Sequence, residues 1–198
     1  MNDVLIIDDI IPKDYQNKLL YFLTETNFAW IFHKNLIAKD EQFKDNENNP
    51  LGFTHNLYDN EKPVSPDFNF FYPLVLSITS KLDDYKKLIR IRANLTLPNK
   101  ISKLKWHMPH TDSYFDHLVA IYYVNDSDGD TFVFNETNDN YSNGQDDIAR
   151  INKGDFTVKK QITPKQGRVA IFSGKNYHTS SWAKESKFRC LLNINLGK

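Results

Sequence analysis

The sequence predicts a mainly β fold in which two N-terminal helices cover a C-terminal double sheet. From Leu88 onward, short segments rich in β-branched and aromatic residues alternate with Gly, Asn, Asp and Pro, a pattern typical of an antiparallel sandwich or barrel. Before Leu88, apolar residues recur at helical spacing in two segments. A chain of 198 residues with 40% apolar side chains can bury one sizeable core, so we expect a single domain over residues 1–198.

Residues 1–87 are expected to support the sheet. The expected elements are a strand at 4–7, a helix from Pro12 to about Asn27, a strand at 29–38 and a helix at 68–85. The fixed φ of Pro12 suits a first helical turn, and the residues that follow it form an apolar stripe at helical spacing. Residues 39–66 are polar and interrupted by prolines, which predicts an extended surface loop. Its aromatic residues make this loop a candidate lid over a substrate site: Phe43, Phe53, His55 and Tyr58. The alternative is a mobile surface loop in which these aromatic residues have no role at the site.

Residues 88–198 are expected to form the sandwich core. The predicted strands are 88–97, 117–124, 131–135, 147–152, 155–162, 168–173, 178–183 and 187–196. Their number and their punctuation by turn residues indicate roughly eight antiparallel strands in two sheets.

Charge and cysteine content exclude several classes of protein and site. The 25 basic residues balance 25 acidic ones, which disfavours a nucleic-acid partner, because such binders carry a basic excess. Cys190 is the single cysteine, which excludes an intramolecular disulfide and a Cys-rich zinc site. No basic and apolar leader pattern opens the sequence, and no apolar run is long enough to span a bilayer. We therefore expect a cytoplasmic protein with no membrane partner.

His110 and Asp112 form the first candidate metal-binding pair. Side chains at i and i+2 of a strand face the same side, and His178 at the start of a later predicted strand offers a third ligand. Two histidines and one carboxylate are the ligands of non-haem Fe(II) oxygenases, which leave positions for a cosubstrate and O₂. The triplet alone is weak evidence, because about 0.6 His-x-Asp triplets are expected by chance at this composition.

Arg189 follows His178 on the next predicted strand. A guanidinium inside a sandwich needs an anionic partner, and its two N–H edges match a carboxylate. The alternative is an exposed arginine on an edge strand.

Five segments in order resemble the iron(II)/2-oxoglutarate-dependent dioxygenases, and specifically the prolyl-4-hydroxylase-like branch. They are His-Thr-Asp at 110–112, Ile-Tyr-Tyr-Val-Asn at 121–125, Gly-Asp-Thr-Phe at 129–132, Pro-Lys-Gln-Gly-Arg-Val-Ala-Ile-Phe at 164–172, and His178 with Arg189. The resemblance covers roughly residues 88–197. It implies a double-stranded β-helix, which is a jelly-roll, cupin-like sandwich with the metal near one mouth.

The resemblance also implies roles for matched residues. His110, Asp112 and His178 would ligate Fe(II), and Arg189 and Tyr123 would bind the distal carboxylate of 2-oxoglutarate. Many members carry a tyrosine on the strand before the His-x-Asp segment. This chain has Arg-Ala-Asn-Leu-Thr at 92–96, so Asn94 is the expected substitute. A second departure is Asp128, which replaces the first glycine of the family's Gly-Gly turn.

The implied activity is hydroxylation of an unactivated C–H bond with release of succinate and CO₂. The expected cofactors are Fe(II), the cosubstrate 2-oxoglutarate and O₂, with ascorbate as an accessory reductant. The expected substrate is a small molecule or a peptide or protein: a peptidyl proline, another side chain, a free amino acid or a metabolite. The alternatives are a non-enzymatic jelly-roll binding module, in which Arg189 would be exposed, and a metal-dependent hydrolase or isomerase with Asp116 or Glu136 as its base.

Overall fold

The computed structural model describes residues 3–37, 50–83, 85–113, 115–139, 150–151 and 153–198. The elements in chain order are β1 (Leu5–Ile7), α1 (Lys13–Glu25), β2 (Ile31–His33), β3 (Gly52–Asp59), β4 (Lys62–Pro63), α2 (Phe68–Thr79), β5 (Lys87–Thr96), β6 (His117–Tyr123), β7 (Thr131–Thr137), β8 (Val158–Ile162), β9 (Val169–Ser173), β10 (Asn176–Ser180) and β11 (Arg189–Gly197). In the described part of the chain, neither helix has the length and apolar character needed to cross a membrane.

The strands form two antiparallel sheets that face each other. The larger sheet has the order β1-β9-β6-β11-β5-β3-β2, with β4 paired to β3, and the smaller sheet has the order β10-β7-β8. The mainly β double sheet with N-terminal helices is therefore confirmed.

The helices cover the outer face of the larger sheet. On β11, the alternate residues Cys190, Leu192 and Ile194 belong to the same buried cluster as Leu19 of α1 and Leu74 of α2. All five are fully buried. Burying one large apolar side chain contributes about 1.5–3 kcal/mol, so this apolar layer stabilises the packing of the two helices on the outer face of the sheet.

The inner face of the same strands carries polar residues. On β11, Arg189 and Asn193 alternate with the apolar residues of the outer face, and both are buried. Antiparallel pairing places Arg189 opposite Thr96 and Asn193 opposite Arg92 of β5. Because the pleat sends alternate side chains to opposite faces, these two strands supply one polar wall between the sheets.

The predicted surface loop over residues 39–66 is wrong in its second half, because Gly52–Asp59 is a strand that pairs with β2 and β5. Glycine is typical of loops, but Gly52 is required here by close packing. A Cβ at this strand position would lie 2.6 Å from the carbonyl oxygen of Leu95. His55 stacks on Phe28 with ring centroids 4.6 Å apart, so it supports the core.

Two other aromatic residues of the proposed lid also pack within the fold. Phe53 packs on Phe32 of the neighbouring strand, and Tyr58 packs on Phe68 of α2. Both are sheet residues rather than parts of a lid. Phe43 lies outside the described residues.

Other predicted boundaries need correction. The helix expected at 68–85 begins at Phe68 but ends at Thr79, where the hydroxyls of Thr79 and Ser80 donate to preceding carbonyls. The strand expected at 29–38 is confined to Ile31–His33. Of the strand expected at 147–152, residues 150 and 151 have helical backbone and the others lie outside the described residues.

Candidate metal centre

The two candidate histidine ligands are tied together by backbone hydrogen bonds. His110 and His178 form an isolated antiparallel bridge in which each amide N–H donates to the other's carbonyl, at 3.0 and 2.9 Å. His178 lies on β10, whereas His110 and Asp112 lie in the segment before β6 rather than in a regular strand. One possible ligand atom from each of the three side chains lies within 4.8 Å of the others. The predicted triad is therefore assembled in space.

Both rings are prepared to donate a lone pair to a metal. Burial lowers the pKa of His110 to about 3 and also lowers the pKa of His178, so both imidazoles are neutral at pH 7. Each Nδ1 lies 3.3 Å from a backbone carbonyl oxygen, that of Met108 for His110 and that of Asn176 for His178. A carbonyl only accepts, which assigns the ring proton to Nδ1 and leaves Nε2 free as the ligand atom.

Asp112 is held in its ionised form. Burial acts to raise its pKa, but the positive charge of Arg90 and the hydrogen bond from Asn195 help to outweigh burial and hold the pKa well below its usual range. The Nδ2 atoms of Asn193 and Asn195 each donate to Oδ2 at 3.0 Å. An Nη atom of Arg90 lies 3.2 Å from Oδ1. A carboxylate and two neutral imidazoles form a ligand set that fits a divalent iron ion.

Arg189 lies deep between the sheets. It is 5% exposed, its Nε donates to the carbonyl of Gly129 at 2.7 Å, and its Nη2 donates to Oγ1 of Thr131 at 2.7 Å. The hydroxyl of Tyr123 donates to the same Thr131 oxygen at 2.7 Å. Tyr123 thus lies beside Arg189, with its ring centre 5.8 Å from the guanidinium carbon, and is linked to it through one threonine.

A pocket lies between the two candidate histidine ligands, His110 and His178, and Arg189. Its cavity has a volume of about 70 Å³. The lining residues that bear on the chemistry are Arg92, Asn94, His110, Thr131, His178, Arg189 and Asn193. Asn94, the expected substitute for a tyrosine, therefore does line the pocket.

Four residues of this site escaped the sequence analysis: Arg90, Arg92, Asn193 and Asn195. Their signal is the polar alternation within two otherwise apolar strands, Arg-Cys-Leu-Leu-Asn-Ile-Asn at 189–195 and Arg-Ile-Arg-Ala-Asn at 90–94. Once Arg189 faces inward, every second residue of its strand must do so too.

The departure at Asp128 has a structural role. Its carboxylate accepts hydrogen bonds from the backbone N–H groups of Lys184, Glu185 and Ser186, at 2.9, 2.9 and 3.0 Å. These bonds fix the connection between β10 and β11 and so the start of the strand that carries Arg189. The next residue, Gly129, packs against that arginine, since a Cβ there would lie 3.1 Å from Cδ of Arg189.

No family model matches the sequence, and no curated protein matches it. Solved structures do match. A prolyl hydroxylase from Trichoplax adhaerens, in complex with a hypoxia-inducible-factor peptide, has a TM-score of 0.62 at 11% identity, over 100% of this chain and 84% of that one. A Pseudomonas putida prolyl-4-hydroxylase has a TM-score of 0.58 at 14% identity, over 98% and 92%.

A third similar structure is HygX from Streptomyces hygroscopicus, solved with nickel, 2-oxoglutarate and hygromycin B bound. Its TM-score is 0.60 at 13% identity, over 98% of this chain and 82% of that one. Together with the double sheet and the assembled His-Asp-His triad, these likenesses show that the chain has the double-stranded β-helix fold of the 2-oxoglutarate- and Fe(II)-dependent oxygenases.

Proposed function

We propose that this protein is an Fe(II)- and 2-oxoglutarate-dependent oxygenase that hydroxylates an unactivated C–H bond. The substrate, 2-oxoglutarate and O₂ would give the hydroxylated substrate, succinate and CO₂. The observation that carries this proposal is the grouping of two neutral imidazoles with one carboxylate, where both imidazoles border a pocket that a buried guanidinium also borders. The candidate substrates remain a peptidyl proline, an amino acid or a small metabolite.

The residues of the chain would divide the work. His110, Asp112 and His178 would hold the iron, which when bound supplies the site of O₂ activation and of 2-oxoglutarate decarboxylation. Arg189 would bind the distal carboxylate of 2-oxoglutarate, and Thr131 would orient its guanidinium. Tyr123 would support the same carboxylate through its link to Thr131.

A second group of residues maintains the site. Asn193, Asn195 and Arg90 keep the Asp112 carboxylate ionised and fixed in orientation. Ile121 and Leu191 line the pocket with apolar surface, which limits the water that reaches the reacting atoms.

The geometry disfavours both alternatives. A jelly-roll binding module predicts an exposed Arg189, whereas Arg189 is 5% exposed and borders the pocket. A hydrolase needs a second base near the metal. The Asp116 side chain is 54% exposed, Glu136 binds Thr157 at the surface, and neither borders the pocket.

The test is anaerobic addition of Fe(II) and then 2-oxoglutarate, followed by visible absorption. A weak charge-transfer band that requires both additions is the expected result, because it reports chelation of the keto acid at the metal. The Arg189→Gln variant should need far more 2-oxoglutarate for the same band. Iron bound without any band would contradict the proposal, and so would O₂-dependent turnover that yields no succinate.

A further inference from the structure

The pocket contains a second guanidinium that the proposed function does not use. Arg92 lies on β5 opposite Asn193, and Arg189 lies on β11 opposite Thr96. Both arginines border the pocket. Asn193, the pairing partner of Arg92, lies four residues along β11 from Arg189, so the two positions are about 13 Å apart along the strand. The pocket wall therefore carries two cationic groups at well-separated places, and Arg92 belongs to the end where Asn193 holds Asp112.

No described carboxylate forms an ion pair with Arg92, although the charges of Asp112 and Asp59 act on it from farther away. Its Nε donates to Oδ1 of Asn94 at 2.9 Å, which fixes the plane of the guanidinium and leaves Nη1 and Nη2 for another group. Arg90, two residues away, instead pairs with Asp112. Burial, and after it the like charge of Arg90, lower the pKa of Arg92 to about 10. A partly buried cation facing another cation is costly unless an anion binds to it.

We propose that Arg92 binds a carboxylate of the molecule that is hydroxylated, so that the substrate is a small organic or amino acid. This inference rests on the proposed function. In that function, one carboxylate of 2-oxoglutarate lies on Arg189 and the other lies at the metal, so a carboxylate on Arg92 belongs to a different molecule. The free Nη1 and Nη2 edge matches a carboxylate bidentately. Asn94 is then a positioning residue for Arg92.

The test compares free acids with their amides, which differ in charge and little in size. The probes are the L-amino acids and their α-carboxamides, added anaerobically to protein loaded with Fe(II) and 2-oxoglutarate. Binding is read from the perturbation of the charge-transfer band and by calorimetry. The variant is Arg92→Gln, and the control is Lys87→Gln, which removes an exposed cation from the same strand.

At least one acid should bind on the order of 10- to 100-fold more tightly than its amide, the range expected for a charge-assisted contact. Arg92→Gln should remove most of this preference and leave the 2-oxoglutarate dissociation constant within about threefold, and Lys87→Gln should change neither.

The inference fails if no acid is preferred over its amide, or if the preference survives in Arg92→Gln. It also fails if Arg92→Gln weakens 2-oxoglutarate as much as Arg189→Gln does, since Arg92 would then serve the cosubstrate. In each of these cases the proposed function still stands if the charge-transfer band requires both Fe(II) and 2-oxoglutarate.

Discussion

Thr131 is the residue whose replacement tests the buried polar network most directly. Its Oγ1 accepts hydrogen bonds from Tyr123 and from Nη2 of Arg189, each at 2.7 Å. Thr131→Val keeps the shape of the side chain but leaves two buried donors without an acceptor. Each unsatisfied donor costs about 1–3 kcal/mol, so the free energy of unfolding should fall by about 2–6 kcal/mol.

The same network predicts how ligands affect the variant. For a chain of this size each 1 kcal/mol shifts the unfolding temperature by about 2–4 °C, so Thr131→Val should unfold roughly 4–24 °C below the wild type. A bound carboxylate would accept the hydrogen bonds that Thr131 no longer accepts. Mn(II), used in place of iron to prevent turnover, and 2-oxoglutarate should therefore raise the unfolding temperature of Thr131→Val by more than that of the wild type.

The assay is thermal unfolding with and without Mn(II) and 2-oxoglutarate, and the matched control is Thr157→Val. Thr157 is exposed, and its hydroxyl donates to Glu136 at the surface. Its replacement should cost no more than about 0.5 kcal/mol. If Thr131→Val is no less stable than Thr157→Val, the buried network does not hold Arg189. If ligands stabilise Thr131→Val no more than the wild type, the bound carboxylate does not contact these donors.

Four further predictions follow from the site. His178→Ala should abolish iron binding and turnover while circular dichroism shows a folded protein. Arg189→Ala should raise the 2-oxoglutarate dissociation constant about 100- to 1,000-fold, with the iron affinity measured by calorimetry nearly unchanged. Asn195→Leu should weaken iron binding about 10- to 100-fold, because it removes a hydrogen bond that orients the carboxylate ligand. Burial lowers the pKa values of His107 and His110 to about 3, so the unfolded chain binds more protons below pH 6.5. The stability of the metal-free protein in urea should therefore fall as the pH drops from 6.5 towards 3, by up to about 1.4 kcal/mol per pH unit for each histidine.

The grouping of the three candidate metal ligands could be predicted from the sequence, because it depends on their spacing and order along the chain. His110 and Asp112 are two residues apart, and His178 and Arg189 follow in the order that the resemblance requires. Strand alternation places Arg189 and Cys190 on opposite faces, and the structure puts Cys190 in the cluster beneath the helices. These inferences needed no knowledge of how the sheets pair.

The strand at Gly52–Asp59 could not be predicted in the same way. Glycine and asparagine within it are typical of loops, and its strand character comes from pairing with β5 and β2. Gly52 is required by the closeness of a neighbouring backbone, and this is a property of the tertiary structure. Local propensity therefore misassigned a segment whose conformation is set by its partners.

The charges on the inner wall connect the fold to the proposed chemistry. Arg90, Arg92 and Arg189 face the interior from two adjacent strands, and Asp112 is the carboxylate that pairs with one of them among the described residues. A core chosen for stability alone would not place three guanidinium groups on one inner wall where a single carboxylate pairs with one of them, because each unpaired buried cation costs free energy. A divalent metal would add further positive charge beside them. A bound molecule that carries a carboxylate would offset this positive charge. The repulsion between the unpaired cations would then be relieved, which favours the binding of anions. If the proposal for Arg92 holds, this wall would favour acidic molecules before any finer contact with the substrate is made.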